Sequence, residues 1–372
     1  MIQSVLSMME GHDMAGYIIL LALGIILVIK GGDWFVDAAS WIAEVSGIPT
    51  FIIGATIVSV ATTLPEILVS CISAGQGQAA MAIGNAVGSV NCNIALIMAI
   101  SLVFTAPAFS RKDFLAKSLI LLFTIALLWG LSAIGNEFTW WNALIILALF
   151  VAFLVENIVS AKKHSKLLSA EPVAPVGQTQ RGTGILYDYF AKKEAQKITI
   201  KKTGLVIEKK DIAKNVVLFV LGAGCIFVGA QLMSDNGAEL ARALRVPEGI
   251  IGVTILAVGT SLPELVTAIT AIVKKKADLS VGNIIGANII DLSLILPLCA
   301  FITMGNGGGP LPVDAQSLTI DFPFCLAIAG VTIIPALIFG KFKRWQGALL
   351  IAGYITYVVL LVLNTTGTIH IF

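Results

Sequence analysis

Ser59, Thr62, Thr63 and Glu66 follow one another at intervals of three, one and three residues. On an α-helix that spacing puts three hydroxyls and a carboxylate on one face. The pattern returns 198 residues later as Ala257, Thr260, Ser261 and Glu264. The two copies read Gly54-Ala-Thr-Ile-Val-Ser-Val-Ala-Thr-Thr-Leu-Pro-Glu66 and Gly252-Val-Thr-Ile-Leu-Ala-Val-Gly-Thr-Ser-Leu-Pro-Glu264. A carboxylate surrounded by apolar sequence of this kind is costly in hydrocarbon, and where it occurs it marks an ion path. Pro65 and Pro263 precede the two glutamates. Each lacks an N–H and frees the carbonyl four residues back, at Ala61 and Gly259. Freed carbonyls, hydroxyls and carboxylates form an all-oxygen donor set, which suits hard cations such as calcium or sodium. A proline kink used only for packing would leave the adjacent glutamates unexplained.

A second polar pair lies on the segment that follows each copy. Ser89 and Asn93 are four residues apart and share a helical face; the positions 198 later are Ala287 and Asp291. Asp291 thus brings a third carboxylate to the same layer. Asn85 and Asn283, each after a glycine, read as structural braces for the kinked helices, with Gly84 and Gly282 permitting close helix approach. Asp33, Asp37, Asp235 and Glu239 read as lying nearer the outer halves of their helices, where they cap, pair or line an access funnel. Glu156 reads as a snorkelling or interface residue.

The elements that position these groups are membrane helices. The chain is 57% hydrophobic and 12% charged, against about 25% charged for a soluble domain, and its mean hydropathy is +0.94. Apolar runs near 20 residues recur along its whole length, long enough to span as helices, whereas barrel strands are short and alternating. Ten helices are expected, over about 15–45, 51–74, 79–104, 116–134, 139–160, 212–243, 249–273, 279–303, 319–339 and 346–365. The first fifteen residues carry Glu10 and Asp13 and no basic region, so no signal peptide is expected. The five cysteines (Cys71, Cys92, Cys225, Cys299, Cys325) are isolated in apolar segments and read as packing residues. His12, His164 and His370 lie near the ends or in the polar linker, and no nucleophile–base pair or phosphate-binding motif accompanies them. The expectation is therefore a transporter, not an enzyme, with no cofactor. The net charge of +2 gives no hint of nucleic-acid binding.

All but Lys30, Arg242 and Arg245 of the 24 Lys and Arg fall in or beside connections on one side: after helices 3, 7 and 9, and in the long segment after helix 5. By the positive-inside rule that side is cytoplasmic, which puts both termini outside. The 198-residue offset holds without a gap from Gly31/Gly229 to Ile97/Ile295. Five helices per half is an odd number, so the second half enters from the opposite side, as in many secondary transporters. The organisation expected is an all-α integral membrane protein of ten transmembrane helices in two inverted five-helix repeats. Residues 1–160 form the first half, 161–211 a cytoplasmic linker and 212–372 the second half. Within the linker, residues 185–200 are expected to form an amphipathic surface helix, with Leu186, Tyr187, Tyr189 and Phe190 beside a Lys cluster.

Gly-x-Thr…Thr-x-Leu-Pro-Glu followed by Gly-Asn-x-x-Gly, present twice in inverted halves, resembles the α-repeats of the calcium/cation antiporter superfamily, above all its prokaryotic sodium/calcium exchangers. The resemblance covers nearly the whole chain outside the linker. It implies that Glu66 and Glu264 bind calcium and share sodium, with Thr62 and Thr260 contributing oxygens beside them. It implies that Thr63 and Ser261 are hydroxyl ligands for sodium, and that Ser59 and Ala257 offer backbone carbonyls. Asn93 and Asp291 match the pair at the centre of the site, and Ser89 matches a serine ligand of one sodium site. Ala287 departs from the pattern, because the family usually has a serine there; sodium affinity, stoichiometry or coupling should change with it.

The resemblance implies sodium-driven calcium export across the inner membrane of a prokaryote, with calcium, sodium and membrane lipid as partners and no obligatory protein partner. Proton coupling is the alternative that Ala287 favours; a cation channel would instead need no counter-ion. Three buried carboxylates repel one another when the site is empty, so an empty, ionised carrier should resist turning over. Protons should compete with cations at Asp291, so transport should fall in acid.

Overall fold

The computed structural model describes residues 14–105, 111–169, 197–199, 206–244 and 257–365. The helices are α1 (Met14–Ser46), α2 (Thr50–Thr62), α3 (Leu64–Gly75), α4 (Ala79–Phe104), α5 (Arg111–Ser132), α6 (Trp140–Ser169), α7 (Lys209–Ala243), α8 (Ala257–Gly259), α9 (Leu262–Val273), α10 (Ala277–Gly305), α11 (Ser317–Phe339) and α12 (Arg344–Thr365). Among the described residues eight helices are long and apolar enough to span a bilayer, and α2 with α3 makes a ninth if the bent pair is one span. The helix expected over 249–273 is described only from Ala257 onward. Its remainder, α9, is a 12-residue apolar helix.

The two proline motifs break their helices instead of kinking them. Thr63 closes α2 with φ −83° and ψ −1°, and α3 sets off at 46° to it. Ser261, at φ −85° and ψ 6°, does the same ahead of α9. The proline falls in the first turn of the new helix, where its missing N–H costs nothing. Glu66 and Glu264 also fall in that first turn, where the helix dipole favours a carboxylate. Among the described residues four stretches widen to π-helix: Gly54–Val58, Asn93–Met98, Asp291–Ile295 and Ser317–Asp321. Two of them begin at the matched residues Asn93 and Asp291. Such bulges rephase a helix and recur at functional sites.

α4 and α10 are the most buried spans and form the centre of the bundle. Without a hydrophobic drive between helices in lipid, close packing and interhelical hydrogen bonds hold such a centre together. The approach of α2 to α10 is the clearest case. A Cβ on Gly282 would collide with the Phe51 carbonyl, and one on Gly286 would lie 2.6 Å from both the Ala55 carbonyl and Ser59 Oγ. α1 and α7 run against each other at the periphery, backbone to backbone at Gly24/Gly229 and Gly31/Gly222. Their outer faces carry exposed Ile19, Ile26, Ile29, Val217 and Val220, as a lipid-facing surface requires.

Several expectations need correction. α6 continues to Ser169 and α7 starts at Lys209, so helix enters both ends of the 161–211 linker. Lys197–Thr199 (β2) is a strand paired antiparallel with Val206–Glu208 (β3), not part of a surface helix; residues 185–196 lie outside the described residues. A second two-residue pairing joins β1 (Glu137–Phe138) to β4 (Leu311–Pro312), which ties the α5–α6 and α10–α11 connections together. Lys117, grouped above with a basic connection, lies inside α5, fully buried. It pairs with Glu156 of α6 at 2.5 Å, and its ammonium stands 5.7 Å from the centre of the Phe51 ring. Glu156 therefore neutralises a buried lysine instead of snorkelling. Asp33 and Asp37 meet Lys274 beyond the end of α9, so they lie toward the basic side of the bundle, not in an outer half.

Candidate cation site

The broken helix of each segment packs against the central helix of the other. Thr62 donates its hydroxyl to Asn283 Oδ1 at 3.2 Å, and the matched Thr260 donates to Asn85 Oδ1, also at 3.2 Å. Asn85 in turn donates to Ser70 Oγ at 2.8 Å and to the Glu66 carbonyl at 3.4 Å. The two asparagines brace the broken helices, as the sequence suggests. Side-chain hydrogen bonds also cross between α4 and α10: Asn93 Nδ2 donates to Asn288 Oδ1 at 3.0 Å, and the Ser101 and Ser280 hydroxyls meet at 3.1 Å.

Between these braces lie Glu66, Glu264 and Asp291, each at most 1% exposed. Glu264 Oε1 accepts a long hydrogen bond from Thr63 at 3.4 Å. Both oxygens of Glu66, both of Asp291, Glu264 Oε2, Ser261 Oγ and Asn93 Oδ1 are buried without a hydrogen-bond partner among the described residues. Each unpaired buried acceptor is unfavourable, and a carboxylate far more so. A layer of orphaned oxygens on facing helices is the environment that a dehydrated hard cation satisfies. Among the described residues no three His, Cys, Asp or Glu side chains converge closely enough to hold one metal ion. Hydroxyls and carbonyls would have to complete any coordination shell, which fits the mixed oxygen set of the motif.

Ser59, Thr62, Thr63, Ser89, Asn93 and Ser261 are buried, and Thr260 is partly exposed. Ser89 Oγ lies 3.4 Å from Thr260 Oγ1. Ser59 turns its hydroxyl back to the Thr56 carbonyl at 3.0 Å, and its own carbonyl accepts the Thr63 N–H at 2.9 Å and the Thr62 hydroxyl at 3.4 Å. Ala257 begins α8. Ala287 is fully buried and presents only a methyl group. A cavity of about 640 Å3 reaches this layer, with Asn85, Gly88 and Thr260 in its wall. It lies at the end of the bundle where α3 and α7 finish and α4 and α11 begin, and Asp235, Gln316 and Asp321 line its polar parts. Asp321 is itself buried, holding bonds from Tyr357 at 2.9 Å and Gln316 at 3.4 Å.

Sequence reasoning missed three neighbours of the site. Asn288 had no polar counterpart to flag it, because its matched residue is Val90. Cys92, read as packing, lies against Ser261 and Tyr354. Tyr354 comes from α12, outside the repeated motifs.

Fold and site together define a multi-pass membrane protein with a polar, acidic centre assembled from broken helices of both its segments. Comparison with known proteins narrows the class. The profile of the family described as sodium/calcium exchanger protein matches residues 16–159 and 214–363. The inner membrane protein YrbG of Escherichia coli is 30% identical over 348 residues, covering 92% of this chain and 95% of that protein. The sodium/calcium exchanger MaX1 of Methanosarcina acetivorans is 28% identical over 348 residues, covering 92% and 97%. A solved structure of the sodium–calcium exchanger NCX_Mj superposes with a TM-score of 0.69 at 25% identity, covering 93% of this chain and 99% of that one. The chain belongs to the sodium/calcium exchanger family.

Proposed function

We propose that this protein is a secondary antiporter that exchanges sodium for calcium through one midplane site, opened alternately to either side of the membrane. The observation that carries this reading is the layer of buried, unpartnered oxygens on Glu66, Glu264 and Asp291 where the broken helices meet. Glu66 and Glu264 hold calcium, helped by Thr62 and Thr260. Thr63, Ser261 and Ser89 serve sodium, the carbonyls of Ser59 and Ala257 complete the shells, and Asn93 with Asp291 occupies the centre. The architecture proposed is ten spans in two inverted halves, with the 161–211 segment cytoplasmic and both termini outside. The chain would then sit in a prokaryotic inner membrane and export calcium, using the cavity as the outer access route.

Coupling follows from electrostatics. Moving uncompensated carboxylates through a dry barrier costs several kcal/mol or more per charge. Calcium cancels two charges, and several sodium ions do the same. Either load lets the carrier turn over, while the empty carrier is held back.

The test is calcium uptake into sodium-loaded proteoliposomes with sodium, potassium or protons as the sole outward gradient, repeated with Glu66→Gln. Sodium-driven uptake that vanishes in the variant supports the proposal. A second reading, proton-coupled exchange, is favoured by one observation: buried Ala287 removes an oxygen from a sodium position. Uptake driven by protons alone would decide for it, and net calcium flux needing neither counter-ion would refute both.

A further inference from the structure

The repeat relates two helix–helix faces that the structure treats differently. On one, α1 meets α9: a Cβ on Gly32 would lie 2.8 Å from Thr270 Oγ1 and 2.9 Å from Val266 Cγ1. Just beyond α9, Lys274 reaches Asp37 at 2.7 Å and Asp33 at 3.4 Å, and donates to the Asp33 carbonyl at 3.0 Å. The positions matched through the 198-residue offset are Ala230, Leu68 and Ile72 for the packed face, and Gln231 and Asp235 for the two aspartates. All five line the cavity. One face is shut and ion-paired while its counterpart is parted. The residue matched to Lys274 is Gln76.

We infer that Lys274 is a one-sided ionic latch that biases the carrier toward the conformer with its cavity at the α3–α4 end. This rests on the alternating-access reading and adds a residue that sets the balance between the two facings. When the faces exchange roles, α7 closes on α3 and α1 parts from α9. The closing face then offers an uncharged glutamine where the opening face gives up a lysine. The ion pairs reward one facing only. Lys274 touches no proposed ion ligand, yet it ends the helix that carries Glu264. Its partners are partly exposed, Asp33 at 44% and Asp37 at 64%, so the bias it supplies is about two- to fivefold.

The experiment uses the full chain in lipid nanodiscs, with the native cysteines replaced by alanine and one cysteine placed at Ile72 in the cavity wall. The rate of modification by a bulky maleimide reports the open fraction. Lys274→Gln should lower the open-to-closed ratio about two- to fivefold and slow modification by the matching drop in open fraction, up to about fivefold, and exchanging the charges with Lys274→Asp plus Asp37→Lys should restore it. Raising choline chloride from about 20 to about 500 mM should slow the parent toward the variant and leave the variant unchanged, because screening loosens exposed pairs. Equal rates in parent and Lys274→Gln at low salt overturn the latch; if sodium-driven calcium uptake persists in that case, the antiport reading stands without it. Absence of coupled uptake in the parent chain itself removes the antiport reading and the latch together.

Discussion

Ala287→Ser is the sharpest test of how far this site departs from a symmetric one. On the α8–α9 side, Thr260 donates to Asn85 and has Ser89 Oγ 3.4 Å away. On the α2–α3 side, Thr62 donates to Asn283 and lies near the Ser59 carbonyl at 3.4 Å, but the residue matched to Ser89 is the methyl of Ala287. A serine there adds one oxygen at a fully buried point. A hydrogen bond or ligand contact to a charged group contributes about 1.5–3 kcal/mol, and burying an unpaired hydroxyl in the empty state costs about 1–3 kcal/mol. A sodium ion bound there gains the contact and relieves that cost. A serine hydroxyl that returns to its own helix in the empty state carries little of that burial cost, so the contact itself sets the shift at about 1.5–3 kcal/mol, or roughly ten- to 150-fold in affinity at that position. The assay is sodium-dependent calcium efflux from proteoliposomes. Half-saturating sodium should fall, and the sodium dependence should steepen if an ion is added to the stoichiometry. Ala287→Cys supplies similar volume with a poor acceptor and should resemble the parent. Identical sodium curves for parent and serine variant, or identical curves for the serine and cysteine variants, would refute the reasoning.

Thr62→Val leaves Asn283 Oδ1 without its donor in a buried position and should cost about 1–3 kcal/mol, read as lost thermal stability in detergent; Thr260→Val, through Asn85, should cost a similar amount. Gly282→Ala drives a methyl into the Phe51 carbonyl and should abolish folded protein on size exclusion. Gly130→Ala, in the last turn of α5 with nothing near its Cβ direction among the described residues, should instead be tolerated and stabilise by up to about 0.5 kcal/mol. Lys117→Met strands Glu156 and should destabilise by about 3–5 kcal/mol, most of it recovered by Lys117→Met with Glu156→Leu, because a well-packed apolar pair replaces a buried ion pair at little cost.

The parts of this fold legible in the sequence are those governed by composition and by period. The helix expected over 79–104 runs Ala79–Phe104, since a continuous apolar run between turn residues has one outcome in lipid. The Pro65 break was legible as a disturbance but not as a change of direction, because a freed carbonyl does not say whether the chain bends or restarts. The π-segments at Asn93 and Asp291 left no local signal; a one-residue widening is decided by what the rephased side chain meets across the bundle. The Lys117–Glu156 pair was hidden for a related reason. A lysine six residues into a helix counts as a loop charge until tertiary structure shows Phe51 and α6 closing over it.

The orphaned carboxylate oxygens also make stability and function pull in opposite directions at one residue. Glu66 presents two buried oxygens with no partner, whereas Glu264 keeps one contact to Thr63. Glu66→Gln removes the charge without changing the shape, and so removes the larger part of the burial penalty when no cation is bound. In chelator and potassium, with no sodium or calcium present, the glutamine variant should therefore melt at a higher temperature than the parent. Added calcium should reverse the order. Ligand at one hundred times its dissociation constant stabilises the parent by about 2.7 kcal/mol, and the variant, lacking the charge that holds the ion, should not respond. Glu264→Gln should gain less in the ion-free state, because its side chain is already partly satisfied. If Glu66→Gln were less stable than the parent without ions, the carboxylate would be held by an interaction internal to the protein. Glu66 would then be a structural residue, and the cation would have to be placed elsewhere in the layer.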